Sequence, residues 1–168
     1  MDHRSRHRWL DLVLQLGLAF VPGVVGTPFV DRDWYAQQSK PRWAPPPQVF
    51  GPVWTSLYAS QAVAAWLVDG EGPRSAKASR LYLGQLGLNA LWTPLFFGAR
   101  RQGLALVELV ALWVSAALTA RRFYRIRRPA GLLFLPYLAW LAFAAALNAA
   151  IWRRGRAEGS RAHSGDAG

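Results

Sequence analysis

Five long apolar segments, almost free of charged residues, account for most of this sequence. Each is about 17–22 residues long, the length that an α-helix needs to cross a hydrocarbon core of about 30 Å. They are residues 10–30, 49–68, 81–97, 103–120 and 131–152. A helix of a soluble bundle would carry a polar face, whereas each of these segments contains only a few polar residues. The sequence therefore predicts an all-α fold, a bundle of five transmembrane helices.

Short polar segments divide the chain into three parts. Residues 1–9 form a basic N-terminal stub, residues 10–152 the membrane domain, and residues 153–168 a polar C-terminal tail. The links between later helices are short, which makes neighbouring helices antiparallel. The tail has no apolar periodicity, which predicts disorder from about Arg153. The first apolar segment is too long for a signal peptide and is expected to be retained.

The net charge of +11 raises the possibility of a nucleic-acid partner. The arginines, however, cluster where the predicted helices leave the membrane, at residues 4–8, 100–101, 121–128 and 153–156. At such positions arginine anchors helix ends and contacts lipid phosphates. Membrane lipid rather than nucleic acid is therefore the expected partner, and the basic segment 121–128 favours an orientation with the N-terminus inside.

The composition excludes several kinds of chemistry. The chain has no cysteine, so disulfides, thiolate metal sites and a cysteine nucleophile are ruled out. The three histidines, His3, His7 and His163, all lie in the polar ends. The apolar body thus offers no histidine as a metal ligand or general base, and we expect no metal site and no resident cofactor. It also offers no acid–base pair or nucleophile set for ordinary hydrolysis or group transfer.

Polar residues inside the apolar segments are candidates for function. Because such side chains cost free energy in lipid, they normally face the bundle or a cavity. They are Gln61, Gln85, Asn89, Glu108 and Asn148. For Gln61 and Gln85 we expect interhelical hydrogen bonds. Glu108 stays open: its carboxyl group is protonated, paired with an arginine, or near an interface.

Three of the segments carry aromatic residues at helical spacing beside a small or polar companion. The three rows are Phe50, Trp54, Tyr58 and Gln61; Gln85, Asn89 and Trp92; and Tyr137, Trp140, Ala144 and Leu147. Any one row is explained by packing. Three rows together, beside an aromatic loop, indicate equally well a cavity for a large, flat, apolar molecule.

The stretch between the first two segments is unusual for a loop. Residues 40–54 read KPRWAPPPQVFGPVW, with five prolines and two tryptophans. Prolines this dense exclude a helix and stiffen the chain, while the tryptophans make the loop apolar. Such a loop is suited to cover an apolar site, because its ordering costs little entropy.

Three stretches of the chain carry a resemblance to a known family. They are WYAQQSKPRWAPPPQVFGPVWTSLY (34–58), QLGLNALWTPLFFG (85–98) and LPYLAWLAFAAALNAAIW (135–152). With these motifs the chain resembles the TspO/MBR family of tryptophan-rich sensory and translocator proteins over about residues 10–152. One departure is Gln38, two residues before Lys40, where a leucine is common in the family.

The resemblance implies a five-helix bundle in which the loop between the first two helices acts as a lid. It implies a pocket that binds porphyrins such as protoporphyrin IX. The ligand-binding residues carried over by motif are Trp34, Tyr35, Pro45, Trp54, Tyr58, Asn89, Trp92, Trp140 and Ala144. Trp43 is expected to pack within the loop itself. The cholesterol motif of animal members is broken, since Ala149 stands where it needs a tyrosine.

Three functions remain open at this stage. The first is a receptor or carrier that regulates tetrapyrrole flux or an oxidative-stress response. The second is an enzyme that degrades bound porphyrin with light and oxygen, with Trp54 and Trp140 as the reacting residues. The third is a membrane scaffold. We expect a multi-pass protein of a bacterial cell membrane, or of the mitochondrial outer membrane if eukaryotic. A homodimer is expected through rows of small residues, namely Ser56, Ser60 and Ala64 or Ala142, Ala146 and Ala150.

Overall fold

The computed structural model of the protein describes the backbone of residues 3–165 and the side chains of residues 8–158. Over this range the fold is all-helical and contains no strand, which confirms that the fold is all-α. The helices are α1 (His3–Gly26), α2 (Arg32–Gln37), α3 (Phe50–Val68), α4 (Pro73–Thr93), α5 (Gln102–Ile126), α6 (Arg128–Leu132) and α7 (Leu135–Gly165).

Three helical segments of the described chain are long and apolar enough to cross a membrane: Arg8–Phe29, Gln102–Ile126 and Arg128–Glu158. The protein is therefore a multi-pass membrane protein. Helices α3 and α4 are also long, at 19 and 21 residues. Helix α3 contains Gln61 near its middle, and α4 begins with a turn that carries Arg74 and Lys77. A count of five spans thus remains a prediction.

The helices extend further than the apolar segments indicated. Helix α5 continues through the basic stretch after Ala120 and ends at Ile126. Helix α4 begins at Pro73, a residue that suits the first turn of a helix because its missing N–H needs no partner there. At its other end α4 passes at Pro94 into one wider, π-helical turn that ends at Gly98.

The segment that follows Trp152, for which the sequence predicts disorder, begins as a continuation of the last helix. Helix α7 continues as far as Gly165, and residues 166–168 lie outside the described residues. Arg154 Nη1 donates to the carbonyl oxygen of Lys40 at 3.0 Å, and Ser39 Oγ donates to Glu158 Oε1. These contacts hold the part of α7 that lies beyond the apolar sequence against the loop.

The long helices pack in a defined order. Helices α3 and α4 lie along α1, α5 lies along α4, and α7 lies along α5. The connection between α1 and α3 therefore lies at the end of the bundle where α4 turns into α5. This connection contains α2 and the proline-rich loop. It positions the aromatic residues of the loop against those of the helix ends.

Candidate functional site

A continuous chain of hydrogen bonds joins three helices inside the bundle. Tyr58 Oη of α3 donates to Asn89 Oδ1 of α4 at 3.1 Å, and Asn89 Nδ2 donates to Tyr137 Oη of α7 at 2.7 Å. Tyr137 Oη donates to Gln85 Oε1 at 3.0 Å, and Gln85 Nε2 donates to Gln61 Oε1 at 2.8 Å. All five side chains are buried. The expectation that Gln61 and Gln85 form an interhelical hydrogen bond is thereby confirmed.

The indole ring of Trp54 lies directly beside this chain. Its centroid is 5.3 Å from that of Tyr58 and 6.3 Å from that of Tyr137. On the same side Trp54 meets Trp140 of α7 edge to face, with ring centroids 6.5 Å apart and planes at 88°. The aromatic rows of α3 and α7 thus converge on Asn89, and four of the predicted ligand-binding residues, Trp54, Tyr58, Asn89 and Trp140, lie together.

A second aromatic group forms under the loop. Trp34 contacts Phe96 and Phe97, with centroids 5.6 and 6.0 Å away. Tyr35 lies 6.0 Å from Phe97, and Trp92 stacks on Phe96 at 5.1 Å. The predicted residues Trp34, Tyr35 and Trp92 are therefore gathered around two phenylalanines.

Phe50 joins the two aromatic groups. Its ring is 6.3 Å from that of Tyr35 and 5.8 Å from that of Trp140, edge to face in both cases. Phe50 stands at the start of α3, directly after the proline-rich loop. The loop group and the Trp54 group consequently form one aromatic surface from the bundle end to Asn89.

Two capping interactions hold α2 in place within the loop. At its start, Asp31 Oδ1 accepts from the backbone N–H of Trp34 at 2.9 Å. At its end, Lys40 Nζ donates to the carbonyl oxygens of Tyr35 and Ala36 at 2.7 and 2.8 Å. The ammonium group also lies 4.9 Å from the centroid of the Tyr35 ring, within cation–π range. Burial raises the pKa of Tyr35, which keeps its phenol uncharged.

Further contacts tie the loop to the neighbouring helix ends. Arg100 forms an ion pair with Asp31, with 3.2 Å between Nη2 and Oδ2, and its guanidinium lies over the Trp34 ring. Gln102 Nε2 at the start of α5 donates to Gln38 Oε1 at 2.9 Å. Helix α7 also contacts the loop, through Arg154 with Lys40 and Glu158 with Ser39. Three helix ends therefore fix the position of the loop.

Pro45 and Ala144 lie apart from the hydrogen-bonded chain. Pro45 lines a surface groove of about 540 Å³ between α3 and α7, which Trp140 also lines. Ala144 packs, partly buried, against the main core. Trp43 is 51% exposed and its ring lies 5.7 Å from Phe143 of α7, so the expectation that it packs within the loop is wrong.

The motif-based set missed residues that the structure places in the site. Tyr137 and Phe50 belonged to the aromatic rows but were not among the expected ligand-binding residues. Phe96 and Phe97, four and five residues after Trp92, were not among them either. Their position one helical turn after Trp92 was the available signal.

Several buried polar atoms near the site lack a hydrogen-bond partner among residues 8–158. They include the indole nitrogens of Trp92 and Trp140 and both carboxyl oxygens of Glu108. Glu108 is 8% exposed, so its side chain faces the bundle, and within the described side chains no arginine pairs with it. No group of three histidine or acidic residues that would suit a metal ion occurs in the same range.

Comparison with known proteins places this arrangement in context. The model of the TspO/MBR family matches residues 12–153. The chain is 41% identical over 148 residues to the Translocator protein of Homo sapiens, covering 82% of this chain and 88% of that protein. It is 38% identical over 141 residues to the Tryptophan-rich sensory protein of Cereibacter sphaeroides, covering 83% and 88%. It is 37% identical over 147 residues to the Tryptophan-rich protein TspO of Archaeoglobus fulgidus, covering 85% and 95%.

Proposed function

The chain belongs to the TspO/MBR family, and from this membership we propose that it is an integral membrane receptor or carrier for porphyrin-type tetrapyrroles such as protoporphyrin IX. In this role it regulates tetrapyrrole flux or an oxidative-stress response. The single observation that carries the proposal is the convergence of Trp54, Tyr58 and Trp140 on the buried amide of Asn89.

This arrangement suits a flat macrocycle for a physical reason. Aromatic faces and edges provide large contact areas for a conjugated ring, and edge-to-face pairs such as Trp54 and Trp140 can separate around a flat guest. A ligand pocket of this kind needs only a few polar groups to fix orientation. Asn89 supplies one, and the buried indole N–H groups of Trp92 and Trp140 are two further donors.

We also propose that α1, α3, α4, α5 and α7 are the five membrane-spanning helices and that residues 31–49 are the lid. The capping contacts of Asp31 and Lys40 support a lid that keeps its own structure. The polar contacts at Arg100, Gln102 and Arg154 are exposed or half-buried, so each of them is weak enough to open. A ligand would enter as these contacts break.

The second candidate is light- and oxygen-dependent degradation of the bound porphyrin. The proximity of Trp54 and Trp140 favours it, because two oxidisable indoles would border a sensitising ligand at the same site. No conventional acid–base pair is needed for this chemistry. The bound porphyrin would absorb the light and dioxygen would be the oxidant.

One experiment separates these functions. The purified protein in lipid nanodiscs is titrated with protoporphyrin IX in the dark, and binding is followed by the quenching of tryptophan fluorescence. The complex is then illuminated in air while the porphyrin absorption spectrum is recorded, with empty nanodiscs as the control. Saturable quenching with a stable spectrum supports the receptor or carrier. Protein-dependent loss of the spectrum supports the enzyme, and absence of saturable quenching contradicts both.

The homodimer is proposed through α7. Ala142 and Ala146 are exposed on this helix, whereas the row on α3 is partly used within the bundle. Ser60 Oγ donates to the carbonyl oxygen of Leu133 at 2.8 Å, and Ala64 is fully buried. Cross-linking in mild detergent should therefore yield a dimer that Ala146→Phe abolishes and Ala111→Phe, on the exposed side of α5, does not. A parent protein that yields only monomer contradicts the proposal.

A further inference from the structure

Glu108 of α5 is a buried carboxyl group that neither the fold nor the proposed function yet uses. It is 8% exposed, and its two oxygens have no hydrogen-bond partner within residues 8–158. Buried polar groups nearly always have partners, so an unsatisfied carboxyl group calls for an explanation. An apolar interior favours the uncharged form of a carboxyl group without a counter-ion. In that form the group offers one O–H donor and one carbonyl acceptor.

The packing of α4 against α5 gives the depth of Glu108 in the bundle. Phe96, in the π-helical turn that continues α4, and Ala105 of α5 belong to the same buried cluster, near the end of the bundle that carries the loop. The two helices are antiparallel, so one helical turn deeper on each of them stand Trp92 and Glu108. Glu108 therefore lies level with Trp92.

The packing of α7 against α5 shows which residue of α7 faces Glu108. The amide of Asn148, oriented to satisfy both of its polar atoms, donates to the carbonyl oxygen of Gln102 at 3.1 Å and accepts from the N–H of Leu106 at 3.2 Å. One turn deeper along this antiparallel pair, Ala144 of α7 stands opposite Glu108. Ala144 and Trp92 both belong to the expected ligand-binding set. The side chain of Ala144, which faces Glu108, is only a methyl group.

The polar atoms at this level have a common character. The indole N–H of Trp92 is a buried donor without a partner among the described side chains, and the O–H of an uncharged Glu108 is a second donor. Two unsatisfied donors at one depth match an oxygen that accepts hydrogen bonds. A ligand carboxylate is the strongest such acceptor, because hydrogen bonds to an ionised oxygen exceed those between neutral groups.

We propose that Glu108, together with Trp92, anchors a carboxylate of the bound ligand and so selects flat apolar molecules that carry a carboxyl group. This inference rests on the proposed tetrapyrrole-binding function and adds a specificity-determining residue to it. Glu108 donates its O–H to one ligand oxygen, and Trp92 donates its N–H to the same carboxylate. No covalent step is involved. A porphyrin that carries only alkyl groups would gain nothing from either donor.

The test compares two probes on three proteins in nanodiscs in the dark: the parent, Glu108→Gln and Glu108→Leu. Protoporphyrin IX carries carboxyl groups, whereas octaethylporphyrin carries none. We expect Glu108→Leu to weaken the binding of protoporphyrin IX at least tenfold. Glu108→Gln, whose amide N–H can still donate, should stay within about threefold of the parent. The affinity for octaethylporphyrin should change less than twofold in either variant. Val107→Leu, at a neighbouring position that is 65% exposed, is the matched control and should bind both probes like the parent.

The possible outcomes separate the inference from the function on which it rests. A Glu108→Leu variant that binds protoporphyrin IX like the parent overturns the inference, as does an equal loss of affinity for both probes, which would indicate packing alone. A Glu108→Gln variant as weak as Glu108→Leu contradicts hydrogen-bond donation. The melting temperature of each variant is compared with that of the parent to detect misfolding. Removing a buried carboxyl group from a membrane helix should leave this temperature unchanged or raise it. A parent protein that binds neither porphyrin overturns the proposed function itself.

Discussion

The side chain of Asn89 donates a hydrogen bond of 2.7 Å to the phenol oxygen of Tyr137, a residue 48 positions away on another helix. The same amide accepts from Tyr58 at 3.1 Å, so one side chain links three helices. Since the indole of Trp54 borders both phenols and meets the indole of Trp140, this amide is the polar centre of an otherwise aromatic site.

Replacing Asn89 by leucine should change how a porphyrin sits more than it changes stability. An interhelical hydrogen bond in a membrane is worth about 0.6 kcal/mol on average, so the loss of two costs roughly 1 kcal/mol. The orientation of a bound porphyrin is read from the circular dichroism that the protein induces in its Soret band, and stability from thermal unfolding. Asn148→Leu is the matched control, because this amide bonds to the backbone of α5 rather than to the aromatic rings. An unaltered Soret signal in Asn89→Leu would exclude Asn89 from the site.

Replacing Trp54 or Trp140 by phenylalanine should weaken porphyrin binding while preserving the fold. An aromatic pair contributes about 0.5–1.5 kcal/mol beyond its buried area, which corresponds to a loss of affinity of roughly twofold to tenfold. The measurement is the dark titration with protoporphyrin IX. Trp66→Phe serves as the control, since Trp66 contacts Arg8 at the opposite end of α3. If both variants bind porphyrin as tightly as the parent, the ligand occupies another place.

Replacing Arg154 by alanine should loosen the proline-rich loop. Arg154 donates to the carbonyl oxygen of Lys40 from an exposed position, and such contacts contribute at most about 1 kcal/mol. Limited trypsin cleavage after Arg42, an exposed loop residue, should therefore accelerate by up to roughly fivefold. Arg153→Ala, one residue earlier on the same helix, should leave the cleavage rate unchanged. Equal rates in all three proteins would mean that α7 does not restrain the loop.

Replacing Gly131 by alanine should destabilise the protein. A Cβ atom at this position would lie 2.7 Å from the Cα atom of Tyr124 and 2.8 Å from the carbonyl oxygen of Ala120, where the backbone of α5 has little room to move. Overpacking of this kind costs about 1–3 kcal/mol. The control is Gly84→Ala in α4, which meets no atom within 4 Å and should be neutral or stabilising by up to about 1 kcal/mol. Thermal unfolding in detergent measures both, and equal melting temperatures would contradict the close approach of α6 to α5.

Part of the site could be read from the sequence because it depends on local spacing. Helical periodicity places Trp54 and Tyr58 on one face of α3, and Tyr137 and Trp140 on one face of α7. Periodicity says nothing about which face of one helix meets which face of another. Periodicity therefore identifies Tyr137 as part of an aromatic row but not as the partner of Asn89. Likewise, nothing in the local sequence around Trp43 indicates that Phe143 lies beside it.

The sequence by itself determined the membrane character, the helical class and the apolar, proline-rich character of the loop, because the length of an apolar segment and the density of prolines act on the chain locally. Only the tertiary structure decided that Asn89 joins Tyr58 to Tyr137, that the carboxyl group of Glu108 is buried, and that α7 continues past Trp152 to meet Lys40. These relationships depend on the order and rotation of the helices, which are set by contacts between residues far apart in the chain. The packing of side chains across helices, rather than the preference of any one segment, therefore places the polar groups of the site.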